Sequence, residues 1–248
     1  MLKVKRLFSG LAAHLLIVAA VALAVVPASA ADGNADERSR NARRVSAPLD
    51  LAILVQDDLV RRVGNELDVT RDFVRGLPQG SRVMVGYLTR GRLQVRQEFT
   101  EDLEQAGKAL RAPVGSELAA PFNPYVVVLE ALRRFEKEGK NRSAVLLISD
   151  GLDVSRGFDA SSTLNSNDLA RAIDEAKRRN VAIYSFYAPS VGLTSFSSRA
   201  VSYGQGALSR FANETGGRAF FQGTDYISFN SYFERLSRSL NEAATTAH

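Results

Sequence analysis

The side chains best placed for chemistry are acids and an amide that follow two apolar segments. One segment, LDLAILV from position 49, ends at Gln56, Asp57 and Asp58, and another, SAVLLI from position 143, ends two residues before Asp150. Short apolar runs of this kind predict buried parallel strands, whose carboxyl ends meet at one edge of an open sheet. That edge would gather these four side chains and Asp153, and clustered oxygen atoms suit Mg²⁺, Ca²⁺ or Mn²⁺. The pattern therefore allows a divalent-metal site.

A structural interpretation competes with metal binding at the same residues. Asp57 or Asp58 could N-cap the following helix, because a carboxylate there accepts unpaired N–H groups and meets the positive end of the helix dipole. Asp150, which precedes Gly151, could instead hold a turn. The sequence leaves both interpretations open.

The sequence lacks the residues that most catalytic mechanisms need. The chain has no cysteine, and its two histidines are His14, in an apolar N-terminal run, and His248, the last residue. Thiolate nucleophiles, Ser-His-Asp triads and histidine-bound metals are therefore not expected. The glycine-rich phosphate-binding motifs and the G-x-S-x-G motif are also absent from the sequence. A hydrolase that depends on carboxylates or Mg²⁺ stays as a remote alternative, and no catalytic residue is assigned.

The first 30 residues have the pattern of a secretory signal peptide. A basic start at residues 3–6 precedes an apolar run at 7–26, and the helix breaker Pro27 precedes an A-x-A pattern at 28–30. Export to the periplasm or the extracellular space is the expected outcome. The apolar run is also long enough to span a bilayer, so an uncleaved anchor is the alternative, and it would be the chain's only contact with a membrane.

The remaining sequence predicts one domain. Removing residues 1–30 takes away three cations and leaves 29 basic side chains against 27 acidic ones, so the charge gives no reason to expect nucleic-acid binding. Residues 31–47 are polar and lack apolar periodicity, which predicts a flexible lead-in. The domain itself is assigned to 48–242, and 243–248 are assigned to a short tail.

Strands and helices alternate along this domain, which favours an α/β fold with helices on both faces of the sheet. We expect a three-layer, doubly wound arrangement with a mostly parallel six-stranded sheet, to which a hairpin turning at residues 89–92 adds one antiparallel edge strand. The predicted strands are 49–55, 82–88, 93–99, 143–148, 181–187 and 219–221. The predicted helices are 59–74, 100–110, 125–137, 167–179, 207–215 and 226–241, and long loops are expected at 152–166 and 189–204.

The order of these segments resembles the von Willebrand factor A (VWA) domain family over residues 47–240. The resemblance lies in LAILVQDD at 51–58, AVLLISDG at 144–151, NVAIYSFYA at 180–188 and TGGRAFF at 215–221. Within the family, the chain is most similar to the short secreted bacterial forms called VWFA-related. The resemblance implies a non-enzymatic domain that binds a protein partner.

The family's metal-ion-dependent adhesion site uses a D-x-S-x-S triplet after the first strand, a threonine in a later loop and the aspartate of an Asp-Gly pair. Here the triplet falls on Gln56, Asp58 and Val60, of which only Asp58 offers a carboxylate. The loop before residue 125 holds no threonine, whereas Asp150 matches the family's pattern. The resemblance thus implies a degenerate site with Gln56, Asp58 and Asp150 as candidate ligands, and weak or no binding of Mg²⁺ or Ca²⁺.

Partner recognition is expected from the two long loops that leave the carboxyl edge of the sheet. Aromatic and arginine side chains on adaptable loops suit recognition, although the aromatic rings could instead pin the loops to the domain. The candidate partner-binding residues are Arg156, Phe158, Phe196, Arg199 and Tyr203. We predict an exported protein-binding module that acts without strong metal dependence. The alternative is an adhesion domain that uses Mg²⁺ or Ca²⁺ bound by Asp58 and Asp150.

Overall fold

The computed structural model describes residues 44–136, 139–158, 166–221 and 228–246. The strands within these ranges are β1 (Leu49–Gln56), β2 (Arg82–Thr89), β3 (Arg92–Thr100), β4 (Arg142–Ser149), β5 (Val181–Tyr187) and β6 (Ala219–Phe220). The α-helices are α1 (Leu67–Arg75), α2 (Leu103–Ala109), α3 (Pro124–Leu132), α4 (Asn167–Arg178), α5 (Ser198–Glu214) and α6 (Asn230–Thr246). Short 3-10 helices cover Arg61–Glu66, Glu117–Ala119 and Leu193–Ser195.

The six strands form one sheet in the order β3-β2-β1-β4-β5-β6. Every neighbouring pair is parallel except β2 and β3, which are joined by a two-residue turn at Arg90 and Gly91. Both turn residues have positive φ, 50° and 71°, as tight hairpins require. The predicted fold class is confirmed, and β1 and β4 are the central neighbours.

Helices bury both faces of this sheet. On one face, Ile53 packs in a core with α1 and α6, where the Phe73 and Phe233 ring centroids lie 4.5 Å apart. On the other face, Leu54 and Leu147 pack in a core with residues of α3, α4 and α5. Because both of its faces are covered, β1 is buried along its whole length. This three-layer packing fixes where the strands end and therefore where the site lies.

Four of the helices begin directly after a side chain that caps their free N–H groups. The capping residues are Asp102 for α2, Asn123 for α3, Ser166 for α4 and Ser197 for α5. Each accepts a hydrogen bond from a backbone N–H in the first turn, which is the ordinary role of these residue types. Local sequence therefore sets the starts of these four helices.

One predicted loop is largely helix. A loop was expected over 189–204, but α5 begins at Ser198, because Ser197 accepts a hydrogen bond from the Ala200 N–H at 3.2 Å and starts the helix. Gly204, which favoured a loop, is needed inside the helix, since a Cβ there would lie 1.9 Å from the carbonyl oxygen of Asp150. The prediction of a loop as far as residue 204 is wrong.

Other bounds differ by smaller amounts. The helix predicted at 125–137 ends at Leu132, and α6 starts at Asn230 and continues to Thr246, through residues that the sequence assigned to a tail. Within the described ranges, no helix combines the length and apolar character needed to cross a membrane. The predicted signal peptide at 1–30 and most of the lead-in at 31–47 lie outside the described residues.

Candidate functional site

The ends of β1 and β4 bring the three candidate ligands together. The parallel register places Val55 beside Ile148, so Gln56 and Asp58 leave the sheet next to Asp150. All three are almost fully buried, with exposed fractions of 2% for Gln56, 4% for Asp58 and 3% for Asp150. The sequence therefore predicted correctly that these residues meet at one edge.

The carboxamide of Gln56 links the two strand ends. Its oxygen accepts hydrogen bonds from the Ser149 hydroxyl and from the backbone N–H of Asp150, the latter at 3.2 Å. Its nitrogen donates to Oδ1 of Asp58 at 2.8 Å. A backbone N–H can only donate, so the amide oxygen must face Asp150 and the amide nitrogen must face Asp58. Gln56 thus presents a donor to the acid beside it.

Asp150 is held by a turn and by hydroxyl groups. Its Oδ1 accepts the Leu152 N–H at 3.0 Å, and Gly151 has the positive φ of 71° that such a turn favours. Its Oδ2 accepts a hydrogen bond from Thr194 at 3.2 Å, and Thr194 lies 3.0 Å from the Ser190 hydroxyl. The predicted turn role of Asp150 is therefore seen. The sequence did not indicate this hydroxyl pair, because it lies after β5 and not in the loop before α3, where the family resemblance places a threonine.

The two acids of the site repel one another in a buried setting. Burial, followed by repulsion from Asp150, raises the pKa of Asp58 to about 7, and the hydrogen bond from Gln56 offsets part of this effect. Burial also raises the pKa of Asp150, against the opposing effect of the Leu152 N–H and the neighbouring side-chain donors. Burial therefore disfavours the charged forms of both acids unless a cation compensates them.

Asp57 adjoins Asp58 in the sequence, but it is paired with an arginine. Arg111 donates to both of its carboxylate oxygens at 2.7 and 2.9 Å, and the Val114 N–H donates to Oδ1 at 3.0 Å. The same guanidinium lies 4.0 Å from the ring centroid of Tyr87. Asp57 therefore fastens the segment after α2 to the end of β1.

The predicted capping role of Asp57 or Asp58 is wrong. Neither the 3-10 helix that begins at Arg61 nor α1 receives a side-chain cap. The physical reason is that Arg111 and Gln56 already engage the two carboxylates. Asp153 has its own donors, since it accepts hydrogen bonds from Ser155 at 2.7 Å and from the α4 cap Ser166 at 2.8 Å.

A cavity of about 330 Å³ opens above Asp58 and Asp150. Its walls are mainly apolar, whereas its polar floor contains Gln56 and the two acids, and Glu117 adds a third carboxylate. The lining residues are Gln56, Asp58, Glu117, Ala120, Pro121, Phe122, Asp150, Leu152, Val154, Ser190, Gly192, Leu193 and Phe196. The site is thus a pocket with an acidic floor and an apolar rim.

The arrangement does not fit a divalent ion of the family's kind. Gln56 turns an N–H toward Asp58, and Val60 offers no ligand atom. Within the described ranges, no group of three or more Asp, Glu, His or Cys side chains is arranged to hold a metal ion. Asp58 and Asp150 are the two carboxylates on the floor, and the nearby Ser190 and Thr194 hydroxyls are hydrogen-bonded to each other and, through Thr194, to Asp150. Hard cations prefer more charged oxygen ligands than two carboxylates supply.

The predicted partner-binding residues separate into two groups. Phe196 is 76% exposed and lines the cavity, whereas Phe158 packs against Tyr203 with ring centroids 5.9 Å apart. Arg156 is exposed on the segment after β4. Arg199 and Tyr203 lie on α5 and not on a loop, which corrects their predicted placement. Phe158 stays 41% exposed beside Tyr203, whereas Phe196 is more exposed and lines the cavity.

The sequence reasoning missed a third segment of this rim. Phe122 is 55% exposed at a positive φ of 60°, and Leu118 nearby is 80% exposed. Large apolar side chains so exposed are typical of binding surfaces when they border a cavity. The available signal was an aromatic residue between two prolines in PFNP at 121–124.

Known proteins resemble this chain in structure rather than in sequence. BatB from Bacteroides thetaiotaomicron is similar with a TM-score of 0.54 and 13% identity, over 79% of this chain and 99% of that one. An aerotolerance-related membrane protein from Bacteroides fragilis NCTC 9343 is similar with a TM-score of 0.53 and 13% identity, over 78% and 99% of the two chains. The SpRpn10 VWA domain matches 69% of this chain over 88% of its own, at 12% identity and a TM-score of 0.42. No protein-family profile and no curated protein sequence matches the chain.

At such identities the similarity concerns the fold alone. Taken with the strand order β3-β2-β1-β4-β5-β6 and its single antiparallel strand, the two Bacteroides structures show that the described domain has a VWA-type α/β fold.

Proposed function

We propose that this chain is an exported, non-enzymatic module that binds a protein partner at the carboxyl edge of its sheet. The binding region, here named the carboxyl-edge surface, comprises Leu118, Phe122 and Phe196 together with the cavity above Asp58 and Asp150. The observation that carries the proposal is the exposure of Phe122 and Phe196, 55% and 76%, at one cavity. Leu118, which is 80% exposed, adjoins the lining residue Glu117 in the sequence. Exposed aromatic anchors beside a concave site are features of protein interfaces.

Three connecting segments form this surface. They are the segment before α3, residues 150–158 after β4 and the segment between β5 and α5. Their positions are fixed by buried contacts such as the Tyr125 hydroxyl, which donates to the Gly151 carbonyl oxygen at 2.6 Å. A surface held in place in this way loses little conformational entropy when a partner binds. Protein binding therefore needs no large rearrangement.

Export is proposed from the N-terminal sequence. The basic start, the apolar run at 7–26 and the A-x-A pattern at 28–30 support secretion. The Bacteroides fragilis neighbour is described as a membrane protein, which is compatible with a chain that acts at or outside a membrane. Recognition without strong metal dependence is proposed because Gln56 donates to Asp58 at the position where a metal ion would need a ligand oxygen.

Site-specific photocrosslinking in cells tests the proposed surface. Phe196 is replaced by p-benzoylphenylalanine, and the matched control carries the same photoreactive residue at Gln79, which is exposed between α1 and β2 at the opposite edge of the sheet. We expect a discrete protein adduct from position 196 that persists in EDTA, and none from position 79. Equal adducts from both positions, or none from position 196, would contradict the proposal.

One observation favours a second candidate, the metal-dependent adhesion domain. Asp58 and Asp150 share a buried site, and each has a raised pKa that a bound cation would lower. If this alternative holds, the adduct from position 196 disappears in EDTA and returns when Mg²⁺ or Ca²⁺ is added.

A further inference from the structure

We propose that the cavity of the carboxyl-edge surface receives a lysine side chain of the protein partner, with its ammonium group against Asp58 and Asp150. This inference rests on the proposed function and names the chemistry that the partner presents. Three carboxylates, those of Asp58, Glu117 and Asp150, line the cavity, and no lysine or arginine lies among the described lining residues. The charge of the cavity is therefore complementary to a cation.

Asp58 supplies an open acceptor on the cavity floor. The residue is 4% exposed, and its Oδ1 accepts the amide N–H of Gln56 at 2.8 Å. Within the described part of the chain, no side chain donates a hydrogen bond to Oδ2, the second oxygen of this carboxylate. A buried carboxylate gains free energy from a cationic donor, and this one faces a cavity that could admit it.

Two other buried acids, one in β1 and one directly after it, already have such a donor. Asp57 pairs with Arg111 through both oxygens, and Asp50 pairs with Arg82 through both oxygens. Asp58 is buried to a similar extent, yet among the described residues its side-chain donor is the neutral amide of Gln56. An external cation would give Asp58 the kind of partner that the chain itself gives to Asp50 and Asp57.

The walls favour an alkyl chain that ends in a compact ammonium group. Phe122, Leu152, Leu193 and Phe196 line the same cavity as the acids. Lysine buries its methylene stem along apolar surface, and its ammonium group is attracted to aromatic rings. Three rotatable N–H donors can engage two separate carboxylates, whereas the planar fork of arginine is suited to both oxygens of one. Lysine is therefore the better occupant.

A series of small probes tests this inference on the full-length protein. The probes are n-pentylammonium, n-pentanol and n-pentanoate, which share a five-carbon chain and differ in charge, and their dissociation constants are measured by ligand-observed NMR at pH 8. We expect n-pentylammonium to bind at least tenfold more tightly than n-pentanol, and n-pentanoate to bind most weakly. Equal binding of the ammonium and the alcohol, or tighter binding of the carboxylate, would overturn the inference.

Two variants test whether n-pentylammonium binds at Asp58. Asp58→Asn keeps the shape of the side chain and removes its charge, and we expect it to weaken n-pentylammonium binding at least tenfold without changing n-pentanol binding. The matched control is Glu98→Gln, which removes an exposed acid on β3 and should leave both constants unchanged. Unchanged n-pentylammonium binding in Asp58→Asn would overturn the inference, and the wild-type probe series decides it if the variant fails to fold.

The crosslinking assay separates this inference from the proposed function. A photoadduct from position 196 that is lost in Asp58→Asn supports both the partner site and the lysine. An adduct that persists at full yield in Asp58→Asn leaves protein binding intact and refutes the lysine. The absence of any adduct in the wild type refutes the proposed function, whatever the probes show.

Discussion

The buried carboxylates at the two ends of β1 have different hydrogen-bond donors. At the amino end, Asp50 is 2% exposed and is bound by Arg82 through both oxygens, at 3.0 and 2.5 Å, with a third hydrogen bond from Asn141. At the carboxyl end, Asp58 is 4% exposed and has the neutral amide of Gln56 as its side-chain donor. At the amino end, Asp50 is paired with an arginine of the chain, whereas at the carboxyl end Asp58 faces a cavity. The contrast separates a structural acid from an acid that is available to a ligand.

The largest effect is expected from breaking the amino end. Arg82→Met leaves Asp50 buried without a cation, and removing one partner of a buried ion pair lowers the free energy of unfolding by about 3 kcal/mol. Urea denaturation monitored by circular dichroism measures this change. Glu136→Gln is the control, because Glu136 also pairs with Arg82 but is 63% exposed, and its loss should lower the free energy by less than about 1 kcal/mol. Equal losses in the two variants would contradict the assigned role of Asp50.

Removing the charge of Asp58 at the carboxyl end is expected to raise the free energy of unfolding. The pKa of Asp58 is raised to about 7 by burial and by Asp150, so the folded state binds more protons than the unfolded state between about pH 4 and pH 7. The free energy of unfolding contributed by this group therefore falls as the pH rises through that window. Asp58→Asn removes the buried charge and should stabilise the protein by about 1–3 kcal/mol at pH 8.

The pH dependence is the control for this stabilisation. At about pH 4, where Asp58 is protonated in the folded protein, urea denaturation should show little difference between Asp58→Asn and the wild type. A variant that is destabilised equally at pH 4 and pH 8 would show that the carboxylate is already compensated. The two ends of β1 would then not differ in the way described above.

The smallest effect on stability is expected at the rim. Phe196→Ser removes a ring that is 76% exposed and should change the free energy of unfolding by less than about 0.5 kcal/mol. Crosslinking from position 122 should nevertheless lose its partner adduct in this variant, because the two rings border the same cavity. Gln79→Ser is the matched change at the other edge and should preserve the adduct. Retention of the adduct in Phe196→Ser would remove this ring from the binding surface.

The fold was predictable because burial leaves a strong pattern in the sequence. The central strands β1 and β4 are nearly continuous apolar runs, as expected of strands that are covered on both faces. Their shared edge then follows from parallel pairing, which is why the meeting of Gln56, Asp58 and Asp150 could be predicted. Periodicity and capping residues gave most helix positions for the same local reasons.

Long-range contacts account for what the sequence did not reveal. Arg111 lies 54 positions from Asp57 in the chain, so nothing local indicates that this cation engages Asp57. Nor does anything local indicate that the described residues offer Asp58 a neutral side-chain donor instead. Gly204 favoured a loop, although its place in α5 is set by the close approach of the Asp150 carbonyl group. The direction of the Gln56 amide likewise depends on a backbone N–H of the neighbouring strand end.

The metal dependence of the carboxyl end tests the central claim most directly. The free energy of unfolding of the full-length protein is measured in EDTA and in about 1 mM Mg²⁺ or Ca²⁺, since an ion that binds only the folded state raises it by RT ln(1 + [L]/Kd). With the Gln56 amide turned toward Asp58, we predict a rise of less than about 0.5 kcal/mol. A rise of about 4 kcal/mol, the value for a site with submicromolar affinity, that disappears in Asp150→Ala would contradict this account and favour metal-dependent adhesion.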